Sequence, residues 1–259
     1  MVRNEFGETQ EVHVPAERPL TLYLDKQELV TLMTVGAAPE LLALGYLRNQ
    51  RLVRSITDIA SVQVDWDVGA CSITSRCGVA DLAHRSAGRR VVTTGCGQGT
   101  VYASLMDEVD SLTLDPGARI HQSELYALLE AMRLHDSLYK TAGAVHGCAL
   151  FEGGRSLMFT EDVGRHNAVD AISGWMWLHG VEGAGKVFYT TGRLTSEMVI
   201  KCALMGVPIL VSRSGVTQMG FDIANRLGMA LFARCTNRHF LQYTAPQRFV
   251  AEPLERVKE

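Results

Sequence analysis

The sequence predicts an α/β protein in two parts: a smaller β-containing amino-terminal domain over residues 1–118, and a three-layer α/β/α domain over 119–259. Three observations carry this. From about residue 120 onward, short apolar runs of strand length alternate with helix-length stretches, the pattern of a largely parallel sheet covered on both faces. The first part instead offers alternating segments joined by short turns. Between them, Ser104 to Gly117 ends in Pro-Gly and reads as a boundary.

Residues 1–16 are polar and expected to fray. Leu20-Thr-Leu-Tyr-Leu24 is a strand, Asp25-Lys26 its turn, and Glu28 to Met33 its hairpin partner. Pro39-Glu40 starts a helix carrying Leu41, Leu42, Leu44 and Leu47. Ser61-Val-Gln-Val-Asp-Trp66 alternates as a half-buried strand, and Arg76 to Arg90 lacks periodicity and is a loop. Ser123 to Ser137 is an amphipathic helix with Ser123 as its cap. Val145 to Phe151 and Ser156 to Phe159 are strands around Glu152-Gly-Gly154. A helix starts at Asn167, with Asp170 completing its cap, and stops at Gly180. It carries Trp175 and Trp177 on nearly opposite faces, so it must be buried twice, centrally or at an interface. Strands Lys186–Thr190, Val207–Val211 and Met229–Ala233 then enclose helices from about Thr195 to Met205 and Val216 to Leu227.

A formal net charge of −3 argues against bulk nucleic-acid binding, so any phosphate recognition must be local. No apolar run approaches membrane-spanning length, and a soluble, cytoplasmic protein without membrane partners is expected. The cysteines at 71, 77, 96, 148, 202 and 235 follow no repeating frame, which suggests reduced thiols. Without any Cys-x-x-Cys pair, no metal of its own is expected.

Ligands of open α/β sheets sit beyond the carboxyl ends of the strands. Here Phe159 is followed by Arg165, Thr190 by Arg193, Val211 by Arg213 and Ala233 by Arg234. The first three turns carry Gly164, Gly192 and Gly215 and lead into helix starts; His166 and Asn167 adjoin the first. Four arginines and three helix N-termini on one edge suit a polyanionic, nucleotide-like ligand. The second candidate is Cys96, set between Gly95 and Gly97 with Gly99 beyond. Cys148 and Cys202 have apolar neighbours and read as core, whereas Cys96 sits in a glycine-rich loop able to reach a partner.

The segment Glu161-Asp-Val-Gly-Arg-His-Asn-Ala-Val-Asp170 resembles the signature of the formate dehydrogenase accessory sulfurtransferases, the FdhD family. Glu17-Arg-Pro-Leu20, Leu44-Gly-Tyr-Leu47, Gly143-Ala-Val-His146, Thr191-Gly-Arg-Leu-Thr-Ser-Glu197 and Tyr243-Thr-Ala-Pro-Gln-Arg248 resemble its other blocks. The resemblance runs from roughly Glu17 to Arg248. It implies a sulfurtransferase that takes sulfur from a cysteine desulfurase as a persulfide on Cys96. The sulfur then passes to the molybdenum of bis(molybdopterin guanine dinucleotide), a bound substrate destined for formate dehydrogenase. It also implies a cytoplasmic homodimer whose carboxyl-terminal domain is similar to cytidine deaminases. The family's cofactor-binding segment corresponds to Arg234, Cys235, Thr236, Asn237, Arg238 and His239.

There are departures from the pattern. The family loop Cys-Gly-x-Cys-Gly is Cys96-Gly97-Gln98-Gly99, so a relay between two loop thiols is excluded. Val216-Thr217 replaces a usual Pro-Thr, and Ala171 stands where lysine is common. Deaminase chemistry is excluded, because His146 is followed by Gly147 and Cys148 and no Pro-Cys-x-x-Cys occurs. The alternative is a chaperone that binds the molybdenum cofactor without transferring sulfur.

Overall fold

A computed structural model describes residues 1–76, 91–93 (as backbone), 109 and 111–253. Among the described residues it is a mixed α/β fold of six α-helices and fifteen strands in four sheets. No helix among them is long and apolar enough to cross a membrane. The chain forms two compact units that interleave in sequence, where the linear reading placed a single boundary at 118/119.

The first unit comprises Met1–Gln98, Asp136–Gly147 and Thr160–His179. A small hairpin of β1 (Val2–Arg3) and β2 (Thr9–Gln10) lies near its start. Its main sheet contains β3 (Arg18–Leu24), β4 (Gln27–Thr34), β5 (Ile59–Asp65), β6 (Ala70–Ser75) and β7 (Val91–Thr93), in the order β5-β6-β3-β4-β7. The expected β3–β4 hairpin turns at Asp25 and Lys26, both at positive φ. Strand β6 escaped the sequence reading because only Cys71 and Ile73 turn inward there. Leu20, Leu22, Leu24, Val30 and Leu32 share that core with Leu42, Ala43 and Leu47 of α1 (Pro39–Asn49).

Helix α4 (Arg165–Leu178) packs on α1 backbone to backbone. A Cβ on Gly45 would stand 1.6 Å from the Asp170 carbonyl oxygen, and one on Gly174 2.0 Å from that of Leu41. The seam is polar but satisfied. Asn49 Nδ2 donates to Asp170 Oδ1 (2.7 Å), Ser173 Oγ to Asn49 Oδ1 (3.0 Å) and Arg48 Nη1 to the Ser173 carbonyl (3.0 Å). Helix α4 is buried from His166 through Gly174 and again at Met176 within a single chain. Trp175 and Trp177, on its two sides, are themselves half-buried.

The second unit comprises Gly99–His135, Cys148–Phe159 and Gly180–Glu259. Helix α2 (Gln122–Leu134) has His121, not Ser123, as its cap residue, and the His121 N–H donates to Glu124 (2.9 Å). Ser123 instead gives its N–H and hydroxyl to Glu252. The six-stranded sheet has the order β10-β9-β11-β12-β13-β14. These are β9 (His146–Glu152), β10 (Arg155–Asp162), β11 (Val187–Thr190), β12 (Ile209–Ser212), β13 (Ala230–Thr236) and β14 (His239–Gln242).

The sheet is mixed rather than largely parallel. Only β11, β12 and β13 run parallel, while β9 opposes β11 and β14 opposes β13. Strand β14, absent from the sequence reading, follows a two-residue turn at Asn237-Arg238, too short for a parallel crossover. One face, with Phe151, Val187, Tyr189, Ile209, Val211 and Phe232, packs on Leu125, Leu128 and Leu129 of α2. The alternate residues Leu150, Phe188, Leu210 and Leu231 are buried too. Crossover helices α5 (Ser196–Leu204) and α6 (Gln218–Leu227) pack on each other, and α6 on β13.

Strand β8 (Ile120–His121) pairs in parallel with β15 (Phe249–Val250). Beside it, buried Arg248 donates to the carbonyls of Gly228 (2.6 Å), Asp115 (2.6 Å) and Ala118 (3.1 Å). Arg248→Met strands these acceptors and is expected to cost about 2–4 kcal/mol, read from denaturation midpoints.

Candidate functional site

The signature segment is where β10 turns into α4, all from Thr160 onward in the first unit. The helix begins at Arg165 with Gly164 as its cap residue, not at Asn167 as the sequence suggested. Asn167 lies in the first turn and spends its amide elsewhere: Nδ2 donates to the Met33 carbonyl (2.7 Å) and to Asp162 Oδ1 (3.1 Å). Asp162 is 5% exposed and also accepts from the Thr34 hydroxyl and from Gly164 N (3.3 Å). Burial pushes its carboxyl pKa up, opposed by the Thr34, Asn167 and backbone hydrogen bonds. A carboxyl raised in the folded state contributes stability below its unfolded pKa and loses it as pH rises through the folded value. Glu161 accepts from Leu138 N (2.7 Å) and Tyr139 N (2.8 Å), capping α3 (Leu138–Ala142). Asp170 is held in the α1 seam. Asp162 and Asn167 thus hold the turn at which Arg165, half-buried, and His166, buried, open the helix, while Glu161 and Asp170 tie it to α3 and α1.

In the second unit, hydrogen bonds lace together the turns after β11 and β12 and the bulge of β13. Arg213 N donates to the Thr190 carbonyl (3.0 Å), and Arg234 N to that of Ser214 (2.8 Å). Ser212 Oγ donates to the Gly192 carbonyl (2.6 Å), and Thr190 Oγ1 accepts from Gly192 N (3.0 Å). Leu194 and Val216 form a further parallel bridge. Arg193 and Arg213 therefore follow the carboxyl ends of β11 and β12, whereas Arg234, expected after its strand, lies within β13 at a bulge; all three are exposed. Helices α5 and α6 start in the turns holding Arg193 and Arg213. Arg165 stands in the first unit, at the start of α4. The lacing residues Thr190 and Ser212 were missed in sequence. Their signal was a Thr or Ser ending each apolar strand, Val187–Thr190 and Ile209–Ser212.

Residues Arg234 to His239 form the end of β13 and its turn into β14. Arg234 adopts φ 56° at a bulge, Thr236, Asn237, Arg238 and His239 are exposed, and Cys235 is buried in the core. Asn237 and Arg238, with Tyr126, Ala127, Glu130 and Arg133, line a surface depression of about 610 Å³. The Arg238 guanidinium lies 5.6 Å from the Tyr126 ring centre.

The described thiols are all buried. Burial pushes Cys71 and Cys235 up to about 12 and Cys202 well above the usual thiol range. Cys148 Sγ donates to Thr190 Oγ1 (3.3 Å). Such thiols are poor nucleophiles. Cys96, and Cys77 with it, lie outside the described residues. Strand β7 ends at Thr93, three residues before Cys96, and pairs in parallel with β4, Thr93 opposite Leu32. The next residues of β4, Met33 and Thr34, are those bonded by Asn167 and Asp162.

Comparison with known proteins gives one consistent result. Residues 15–250 match the family model described as FdhD/NarQ family. The chain is 29% identical over 254 residues to the sulfur carrier protein FdhD of Bacillus subtilis, covering 95% of this chain and 94% of that protein. It is 26% identical over 248 residues to the sulfur carrier protein FdhD of Geobacillus kaustophilus, covering 96% and 94%. A crystal structure from Desulfotalea psychrophila, assigned as a formate dehydrogenase accessory protein, superposes with a TM-score of 0.76 at 26% identity over 96% of both chains.

Proposed function

Because the chain belongs to the FdhD/NarQ family, we propose that it is a sulfur carrier whose working thiol is Cys96. The observation carrying this is one of elimination. Cys71, Cys148, Cys202 and Cys235 are buried, which leaves Cys77 and Cys96 for thiolate chemistry. Of the two, Cys96 has the glycine-rich setting, and its chain departs from β7 beside the strand end gripped by the signature. The Cys96 thiolate attacks the terminal sulfur of a cysteine desulfurase persulfide. A new S–S bond forms on Cys96, the donor S–S bond breaks, and the donor leaves as thiolate.

The terminal sulfur then passes to the molybdenum of bis(molybdopterin guanine dinucleotide), the substrate. The metal supplies the electron pair of the new bond, and the S–S pair returns to Cys96 as thiolate. Formate dehydrogenase is the client. In this reading the protein works in the cytoplasm as a homodimer, with its second unit of the cytidine deaminase-like kind. Intact mass after mixing with desulfurase and cysteine tests it: one added sulfur, removed by reductant, is expected. A protein that binds the cofactor but never gains sulfur is a chaperone instead.

Arg193, Arg213 and Arg234 supply the phosphate contacts in the second unit, with Thr236, Asn237, Arg238 and His239 beside them as further cofactor contacts; Arg165, at the start of α4 in the first unit, is tested separately. Guanosine diphosphate is the probe. Each Arg→Ala change at 165, 193, 213 and 234 is expected to weaken binding about ten- to hundredfold, the loss of one charged hydrogen bond. Unchanged affinity in all four places the phosphates elsewhere.

A further inference from the structure

We propose that the turns after β11 and β12 and the bulge of β13 form a diphosphate-selective anion site, with the buried Ser212 hydroxyl as its positioning residue. The inference deepens the phosphate reading above and rests on it. Ser212 is 0% exposed. Its Oγ donates to the Gly192 carbonyl (2.6 Å), next to Arg193, and accepts from Ser214 N (2.9 Å), next to Arg213. The Ser214 carbonyl in turn accepts from Arg234 N (2.8 Å). One hydroxyl shut away from solvent therefore ties together the backbone that carries three exposed arginines. Thr190, also 0% exposed, braces the same turns. Its Oγ1 accepts from Gly192 N (3.0 Å) and Cys148 Sγ (3.3 Å), and its carbonyl accepts from Arg213 N (3.0 Å).

Like charges on neighbouring turns repel, and an anion between them removes that cost. Neither Arg193 nor Arg234 has a carboxylate partner among the described residues. A diphosphate holds its two anionic groups at a fixed separation. Arginines whose backbone is equally fixed can engage both groups at once, and the second contact then comes with little further loss of freedom. Cutting the lacing leaves each arginine on its own loose turn, where a diphosphate gains little over a single phosphate. Ser212 thus sets selectivity without touching the anion itself. Alanine at 212, or valine at 190, removes the hydroxyl and leaves backbone groups unmatched, whereas serine at 190 keeps it.

Binding of inorganic pyrophosphate and of orthophosphate, measured by calorimetry, is compared in wild type, Ser212→Ala, Thr190→Val and Thr190→Ser, all held well below their melting midpoints. Wild type is expected to prefer pyrophosphate by about tenfold or more, the worth of one further charged hydrogen bond. Ser212→Ala and Thr190→Val are expected to lose most of that preference through weaker pyrophosphate binding, with orthophosphate nearly unchanged. Thr190→Ser is expected to retain it. A wild type without the preference overturns the proposal, as does an unaltered preference in folded Ser212→Ala and Thr190→Val. Equal weakening of both anions also overturns it, since a merely structural hydroxyl would act that way. If Ser212→Ala does not fold, Thr190→Val against Thr190→Ser decides. Guanosine diphosphate separates the inference from the reading beneath it. Pyrophosphate selectivity that depends on Ser212, in a protein that guanosine diphosphate does not bind, supports the site and sinks the guanine-nucleotide reading alone.

Discussion

Cys96→Ala is expected to take up no sulfur from a desulfurase and to leave the client enzyme inactive, while folding and binding guanosine diphosphate as wild type does. The loss is complete rather than partial because no thiol among the described residues can substitute. The family's second loop cysteine is Gly99 here, and Cys71, Cys148, Cys202 and Cys235 are buried. A buried thiol neither ionises readily nor meets a macromolecular donor. Cys148→Ala makes the opposite case. It removes a packed strand residue and its hydrogen bond to Thr190, costing about 0.5–3 kcal/mol of stability with loading intact. Cys77→Ala completes the set, since Cys77 too lies outside the four buried thiols, and it is expected to load normally. Sulfur detected by mass on Cys96→Ala, and lost from Cys77→Ala, would transfer the assignment to Cys77.

Gly174→Val is expected to abolish accumulation of folded protein. Even the first carbon of the new side chain would lie 2.0 Å from the Leu41 carbonyl oxygen, and backbone cannot rotate aside as a side chain can. Relief requires α1 and α4 to separate, which breaks the Asn49–Asp170 and Ser173–Asn49 hydrogen bonds and strips Ala171 from the core. Ordinary overpacking costs about 1–3 kcal/mol. With buried polar pairs also broken, the sum approaches the roughly 5–15 kcal/mol that holds a domain folded. Gly215→Ala is the control: its Cβ meets nothing within 4 Å, and its melting midpoint is expected to stay near wild type. A soluble Gly174→Val protein with a wild-type midpoint would show that the helices are not in backbone contact.

The blocks that made the family recognisable prove to be largely structural where the structure describes them. Gly45 of Leu44-Gly-Tyr-Leu47 is the α1–α4 contact. Thr244 and Arg248 of the last block hold buried carbonyls at Met229, Gly228 and Asp115. In the signature, Asn167 looked like a helix cap because Asn caps helices well, yet its amide is claimed by Asp162 and Met33. Local propensity cannot register a partner 134 residues away in the chain.

By itself the sequence determined the strand–helix order from β9 to β13, the β3–β4 hairpin and the family, since apolar period and turn residues act locally and survive in one dimension. It also marked Arg193 and Arg213 as strand-end residues. Tertiary structure alone decided that β9 and β14 run antiparallel to their neighbours, and that residues 160–179 pack with the amino-terminal unit. It alone decided that Asp162, Asn167 and Asp170 are consumed inside that unit. The reason is physical: a buried polar group must find its partner wherever the fold brings one, and that choice is made across the chain, not along it.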